Sequence, residues 1–223
     1  MVVLLILITI VACIVIDRLL RERRKAAASV AAREPVPVIP FFVAQELPGG
    51  LFLHGGHTWA KLEASGAVQV GLDGFAHRVL GKVDRYELPA DGAVVRQGEP
   101  AFAVLQSGKR IEFVSPVDGV VCGLNGRINA DTAAAKEDPY GEGWAFAIRP
   151  SSLSQNLKKL RIGTAATAWL EREVRSFSEF LSLHWASPRE VGLTLADGGI
   201  HAEGVLESMD GEILQIAIRK YFR

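Results

Sequence analysis

The sequence predicts a mainly β protein: a β-sandwich with flanking helices, preceded by one transmembrane helix. Three observations carry this prediction. Short apolar stretches beyond residue 50 are separated by Gly, Asp-Gly and Pro about every eight to twelve residues, which is typical of short strands. The motif P-x-D-G-x-V occurs twice, and an uncharged apolar run precedes a basic block near the N-terminus.

Composition argues against several classes of protein. Apolar residues make up 49% of the 223 residues, and 25 basic residues balance 25 acidic ones, which disfavours disorder and a strongly basic nucleic-acid binder. The two cysteines, Cys13 and Cys122, form no zinc or redox motif. The glycines make no phosphate-binding pattern, and Ser, His and Asp lack a hydrolase context. We therefore expect no nucleic acid, no nucleotide and no catalytic activity.

Residues 1–20 are predicted to form a single transmembrane helix. Residues 1–16 alone would span only about 24 Å of a roughly 30 Å hydrocarbon core, and extension to Leu20 brings the helix into the usual range. The basic cluster at 18–25 should remain in the cytoplasm, which places the N-terminus outside the cell inner membrane and the following domain inside. A cleaved signal peptide is the alternative, because Ala-x-Ala triplets follow this cluster.

Residues 21–48 combine the basic flank with a stalk rich in Ala and Pro. This composition favours extended spacing over a helix or a packed core. The apolar patch at 39–43 is expected to dock on the following domain, or alternatively to be covered by a partner helix.

The domain predicted at 49–187 contains the internal repeat. P-A-D-G-A-V at 89–94 recurs as P-V-D-G-V-V at 116–121, an offset of 27 residues. A unit this short cannot bury its own apolar face, so the two copies are predicted to pack on each other as a two-fold sandwich of small sheets. Two unrelated Asp-Gly turns are the alternative.

Between the two copies, strands are predicted at 101–105 and 111–114. Gly108 suits the first central position of a type II′ hairpin turn between them. This turn would place Lys109 at an exposed hairpin tip, where most lysines are only solvated charges.

A set of motifs occurs at 137–144 (EDPYGEGW), 57–59 (HTW), 71–76 (GLDGFA), 80–81 (LG), 87–89 (ELP) and 98–99 (GE). Together these motifs resemble those of the glycine cleavage system H-protein family. The resemblance covers about residues 50–183 and implies a lipoyl/biotinyl-type β-sandwich, also called a hammerhead. Structural roles are implied for the signature residues His57, Trp59, Gly98, Glu99, Asp138, Pro139, Tyr140, Gly141, Gly143 and Trp144.

The resemblance also implies a function for one lysine. In the family, an E-S-V-K-A hairpin presents a lysine that carries lipoate, and the aligned residues here are 106–110 (QSGKR). Lys109 stands at the lysine position. Gln106 replaces the acid, and Gly108 and Arg110 flank the lysine. Two hypotheses stay open, namely lipoylation of Lys109 and a family fold that has lost its arm.

The chain after the sandwich is predicted to be helical and then β. Ser152 and Gln155 form a capping box ahead of a short helix, and apolar spacing predicts a second helix over about 165–185. Three strands are predicted in a C-terminal β extension at 188–223, over 191–196, 200–206 and 212–219. They bury too little apolar surface alone, so they should lean on the domain or on another subunit.

Among the five histidines, His54 and His57 form a His-x-x-His pair. No Cys or paired acid stands at ligand spacing, so a structural role for His57 is preferred to a metal site.

Two functional hypotheses follow. The preferred one is a non-catalytic accessory or scaffold subunit, anchored in the lipid bilayer through residues 1–20 and bound to other subunits of a cytoplasm-facing membrane complex. The alternative is a membrane-tethered lipoyl carrier, with lipoate as a swinging arm on Lys109, in a glycine-cleavage-like or redox system.

Overall fold

The structure is a computed structural model that describes residues 47–184, 204–209 and 211–223. The predicted transmembrane helix at 1–20, the apolar patch at 39–43 and the predicted strand at 191–196 lie outside the described residues. Among the described residues, no helix combines the length and the apolar character that crossing a bilayer requires.

Two antiparallel sheets organise the described part of the chain, which confirms the predicted mainly β sandwich. The strands are β1 (Leu51–Leu53), β2 (Thr58–Leu62), β3 (Val68–Leu72), β4 (Arg85–Glu87), β5 (Val94–Val95), β6 (Pro100–Gln106), β7 (Lys109–Val114), β8 (Gly119–Leu124), β9 (Trp144–Pro150) and β10 (Arg161–Ile162). The larger sheet has the order β10-β1-β2-β3-β9-β8-β5, and the smaller sheet has the order β4-β6-β7. Phe102 of β6 lies edge-on to Phe146 of β9 with ring centroids 5.4 Å apart, so the buried core lies between the sheets.

The two copies of the P-x-D-G-x-V repeat are neighbours within the larger sheet. Val94 of β5 pairs with Val120 of β8, and the N–H of Val121 donates to the oxygen of Ala93 at 2.9 Å. The expected two-fold sandwich of small sheets is therefore wrong, because the copies lie side by side and not face to face. They are also not equivalent, since Gly92 occupies a turn with φ of 78° whereas its counterpart, Gly119, begins β8.

The β6–β7 hairpin confirms the two predicted strands but not the predicted turn. Ser107 and Gly108 have φ angles of 49° and 76°, and Gln106 pairs with Lys109. Positive φ at both central positions defines a type I′ turn, which fits the twist of a two-residue hairpin. Lys109 is consequently the first residue of β7 and not a central residue of the turn.

The helices flank the sandwich. They are α1 (Gly74–Leu80), α2 (Thr132–Glu137), α3 (Leu153–Leu157), α4 (Thr164–His184), a 3-10 helix (Val205–Glu207) and α5 (Gly211–Tyr221). Helix α4 confirms the prediction for 165–185. The predicted capping box is wrong, because the Ser152 side chain makes no capping hydrogen bond to α3.

The predicted C-terminal β extension is wrong for the residues that the structure describes. Residues predicted as a strand at 212–219 lie in α5, and the end of the predicted strand at 200–206 lies in the 3-10 helix. The alternating residues Leu214, Ile216 and Ile218 fit a strand, but helical spacing buries Leu214 and Ile218 and leaves Ile216 40% exposed.

Helix α5 packs into the core of the domain. Tyr221 meets Phe177 of α4 edge-on, with ring centroids 5.1 Å apart. Phe222 meets Phe113 of β7 with centroids 5.4 Å apart. Residues 211–223 are thus an integral part of this core.

Candidate functional site: the lysine hairpin

Lys109 lies partly buried beneath the C-terminal segment, defined here as residues 204–223. Its Nζ donates hydrogen bonds to the backbone oxygens of Leu206 at 3.2 Å, Glu207 at 2.9 Å and Met209 at 3.0 Å. These oxygens belong to the end of the 3-10 helix, where unpaired carbonyls favour a cation. An ammonium group has three N–H donors, so its hydrogen-bonding capacity is filled. The expectation of a solvated lysine at an exposed tip is therefore wrong.

Residues 204–209, which we call the capping turn, are also held by hydrogen bonds to the backbone of residues 78–82. The N–H of Gly204 donates to the oxygen of Arg78 at 2.9 Å, and the N–H of Lys82 donates to Oε1 of Glu207 at 2.7 Å. A side chain at Gly81 would collide with the backbone of Gly204, and Gly81 has φ of 78°, so this close approach requires glycine. The buried side chains of the capping turn are Val205, Leu206 and Met209.

Gln106 connects the hairpin to the capping turn. Its side chain is fully buried, and the two N–H groups of Nε2 face three acceptors: the backbone oxygen of Leu80, the oxygen of Lys82 at 3.2 Å and Oε1 of Glu207 at 3.5 Å. All three partners are acceptors. A carboxylate offers only acceptors, so a glutamate at 106 would face them without a donor. The replacement of the family's acid by Gln106 therefore matches the presence of the capping turn.

The arginine next to the lysine belongs to a cluster of ion pairs on the hairpin surface. Arg110 donates through Nε to Oε2 of Glu87 at 2.7 Å, and its guanidinium also contacts Glu112. Hydrogen bonds from Arg110 hold the pKa of Glu87 below its usual value, and both carboxylates raise the pKa of Arg110. Because this cluster is exposed, it contributes little to stability. Arg85 and Arg223 also lie near these two carboxylates, at 3.3 Å from Glu87 and 3.7 Å from Glu112, so the cluster keeps a net positive charge beside Lys109.

Most of the signature residues form a separate structural cluster. The buried indole Nε1 of Trp59 donates to the oxygens of Leu72 at 2.9 Å and Pro139 at 3.0 Å. The Tyr140 hydroxyl accepts a hydrogen bond from the N–H of Gly74 at 3.0 Å. These hydrogen bonds attach the loop at 138–144 to β2 and to the start of α1.

The remaining signature positions have local structural roles. Asp138 accepts hydrogen bonds from the N–H of Gly141 and of Glu142, both at 3.0 Å. Gly143 lies so close to the oxygens of Ala135 and Asp138 that a side chain would collide with them. The backbone oxygen of Trp144 accepts a hydrogen bond from Asn125 Nδ2 at 2.7 Å. Gly98 has φ of 82°, and its N–H donates to the backbone oxygen of Ser115. The oxygen of Glu99 accepts from the N–H of Ser115 at 2.9 Å.

His57 is a core residue. It is fully buried with φ of 59°, and its Nδ1 lies 2.7 Å from Oδ2 of Asp73, whose Oδ1 caps α1 by accepting from the N–H of Ala76 at 2.8 Å. His54 instead accepts a hydrogen bond from the N–H of Gly56 at 3.0 Å, and burial lowers the pKa of His54 to about 4. The two histidines have different hydrogen-bond partners, and among the described residues no group of three or more His, Cys, Asp or Glu side chains could hold a metal ion.

Within the described residues, Lys109 makes no hydrogen bond to a signature residue. Its partners lie in the capping turn, which sequence reasoning missed. The available signal was Gly204, because an isolated glycine inside an apparent strand indicates a break in the strand, and Gly204 has φ of 68°.

The three oxygens around Nζ give a direct test of whether Lys109 fits lipoate. A lipoylated lysine carries an amide nitrogen, which has no charge and a single N–H. It would satisfy at most one of the oxygens of Leu206, Glu207 and Met209, and its acyl chain would need the space of the capping turn. With the capping turn in this position, the site does not fit a lipoylated lysine.

The antiparallel sandwich and its lysine-bearing hairpin define a protein of the lipoyl-carrier-like class. A profile of the family described as Glycine cleavage H-protein matches residues 51–173. The chain belongs to this family. Its α5 and capping turn lie outside the matched residues.

Two relatives more than 30% identical agree with the family assignment. A glycine cleavage system H protein of Xanthomonas campestris pv. campestris is 40% identical over 104 residues, covering 46% of this chain and 79% of the relative. Another, from Chromobacterium violaceum, is 34% identical over 106 residues, covering 48% and 83%. A solved H protein from Mycobacterium marinum is 24% identical, with a TM-score of 0.47 over 56% of this chain and 98% of that one.

Proposed function

We propose that this chain is a membrane-anchored, non-catalytic member of the H-protein family that serves as an accessory or scaffold subunit of a cytoplasm-facing membrane complex. Lys109 then acts as a structural contact and not as a cofactor arm. The observation that carries this proposal is the saturation of its Nζ by three backbone oxygens of the capping turn.

The energetics favour a structural use of Lys109. A hydrogen bond to a charged group contributes about 1.5 to 3 kcal/mol when it is buried, and less where water reaches it, as at the exposed contact between Lys109 Nζ and the oxygen of Glu207. Buried Leu206 and Met209 add apolar burial beside the same contact. If Lys109 were instead an exposed, lipoylated arm, the protein would lose these hydrogen bonds and this apolar burial.

The membrane part of the proposal depends on the sequence. The apolar run at 1–16, which a helix over 1–20 would contain, and the basic residues at 18–25 support an anchor whose following domain faces the cytoplasm. A single span associates only weakly with other helices through packing, so a scaffold would need a second contact from its folded domain.

A lipoyl carrier is the second candidate function. Lys109 occupies the family's lysine position at the start of β7, and the signature loop 138–144 is intact. For this function the capping turn must leave Lys109 before lipoate is attached.

One substitution in the native host separates the two functions. Lys109→Arg retains a cation that donates to carbonyls but cannot accept a lipoyl group. We expect the variant to assemble into its membrane complex and to support full activity of that complex. The intact mass of the native protein should show no lipoyl-sized increment. Assembly without activity, together with such an increment on the wild type, would establish the carrier function instead.

A further inference from the structure

We propose that the C-terminal segment is an intramolecular inhibitor of acylation at Lys109: docking of the capping turn and modification of Nζ are mutually exclusive. The inference rests on the proposed structural use of this lysine and specifies what keeps it unmodified.

The chemistry of acylation opposes the docked geometry. An activated carboxyl donor, such as an acyl-adenylate, reacts only with an amine that has a free lone pair. Two protons leave the ammonium nitrogen, the new N–C amide bond forms, and the donor's leaving group departs with the electron pair of the broken bond. In the docked state all three N–H groups of Lys109 point at oxygens of the capping turn.

The hairpin sequence matches this competition. Buried Gln106 donates to acceptors on both sides of the contact, including Oε1 of Glu207. Ser107 is fixed as well, because its N–H donates to Oδ2 of Asp84 at 2.6 Å. A type I′ turn held in this way leaves the lysine backbone little freedom to lift away without release of the capping turn.

Buried apolar side chains hold the capping turn on Lys109 and so allow it to compete with an acylating enzyme. Leu206 is fully buried, Met209 is 4% exposed, and α5 continues directly into the core through Leu214 and Ile218. Removal of the capping turn from Lys109 must expose part of this apolar surface. The segment is therefore an attached competitor at high effective concentration.

The test is site-resolved acylation of the full-length protein in mild detergent. The probe is a limiting amount of an N-hydroxysuccinimide ester of acetate, and in a parallel reaction a lipoate-attaching enzyme with lipoate and ATP. Peptide mass spectrometry follows Lys109 and, as an internal reference, Lys61, whose side chain is 43% exposed. We expect chemical acetylation of Lys109 to be about tenfold slower than that of Lys61 or slower still, since each 1.4 kcal/mol of local opening energy lowers the rate tenfold.

Two variants should release the lysine. Leu206→Asp places a carboxylate in a fully buried position, and Gln106→Glu places one opposite three acceptors. Both should raise the acetylation rate of Lys109 to that of Lys61. Ile216→Asp is the matched control, because Ile216 is 40% exposed on the same segment, and it should leave Lys109 protected. Circular dichroism identifies any variant that has lost its fold.

The outcomes separate the inference from the proposed function. Wild-type Lys109 that reacts as fast as Lys61, or that stays protected in both folded release variants, would overturn the inference. In the release variants, Lys109 could be acetylated chemically and yet not lipoylated by the enzyme. That outcome supports the inference, because the capping turn then blocks acylation and the hairpin sequence separately prevents recognition by the enzyme. The proposed function is judged separately, by assembly and activity of Lys109→Arg in the native host.

Discussion

At the residue scale, single buried polar side chains distinguish this chain from the motif of its family. Gln106 has an oxygen without a hydrogen-bond partner among the described residues, yet its Nε2 has three acceptors. The amide is thus used chiefly as a donor, which a carboxylate cannot replace. Replacement of the family's glutamate by Gln106 provides a donor for Oε1 of Glu207 and for the backbone oxygens of Leu80 and Lys82.

His77 is a second buried polar residue, and its ionisation links stability to pH. The ring is 2% exposed, Nδ1 lies 3.4 Å from the Tyr86 hydroxyl, and Nε2 has no partner in the described structure. Burial, opposed by Asp73 and assisted by Lys136, lowers the pKa of His77 to about 4. The folded state therefore prefers the neutral ring.

This shift predicts an acid-sensitive component of stability. The unfolded chain takes up a proton near the ordinary histidine pKa of about 6.5, whereas the folded chain does so only near 4, so stability falls as pH decreases through this window. We expect His77→Leu to remove about 2 kcal/mol of the stability loss between pH 7 and pH 4.5. Urea unfolding at both pH values measures the difference. His184→Leu, at the exposed end of α4, is the control, and identical pH profiles for wild type and His77→Leu would contradict the assignment.

At the element scale, the sequence predicts best where local pattern and tertiary packing agree. The strands at 101–105 and 111–114 and the helix at 165–185 have clear periodicity, and all three are confirmed. The resemblance correctly indicated the sandwich, because residues of the EDPYGEGW motif are hydrogen-bonded to other parts of the sandwich, as in the bond from Trp59 Nε1 to the oxygen of Pro139.

The sequence predicts less well where two periods fit the same residues. Leu214, Ile216 and Ile218 alternate like a strand, but Ala217 and Tyr221 complete a helical face that packs on α4. The choice depends on a surface supplied by distant residues, so local pattern could not decide it. For the same reason the sequence could not reveal that Lys109 meets the capping turn almost a hundred residues later: its bond to Glu207 spans 98 positions.

The helix assignment predicts that two nearby isoleucines differ strongly in how much their substitution lowers the free energy of unfolding. Ile218 is 5% exposed and Ile216 is 40% exposed. Ile218→Asp should lower the free energy of unfolding by several kcal/mol, roughly 3 or more, because it buries an unpaired carboxylate in an apolar site. Ile216→Asp should change it by less than about 0.5 kcal/mol. Thermal unfolding distinguishes the outcomes, and equal losses for both variants would indicate a strand in which the two side chains share one face.

At the scale of the whole molecule, the two regions outside the family match contribute in different ways. The C-terminal segment carries Tyr221 and Phe222 into the core between β7 and α4, so its deletion should destabilise the domain. It therefore offers no clean test of partner binding. Residues 212–219 form a helix whose apolar face is buried in the domain, and not the predicted strand.

The N-terminal region gives the sharper test, because the proposed anchor at 1–20 lies outside the domain matched by the family at 51–173. Deletion of residues 1–20 should move the protein from the membrane fraction to the soluble fraction while the domain keeps its thermal unfolding transition.

In the intact chain, the basic cluster at 18–25 should hold the domain in the cytoplasm. Protease added to sealed cells should then leave the domain uncut, and the same protease should digest it once the membrane is opened by detergent. Digestion in sealed cells would reverse the orientation and place Lys109 beyond the reach of a cytoplasmic lipoate-attaching enzyme. A full-length protein that stays soluble would instead rule out the anchor.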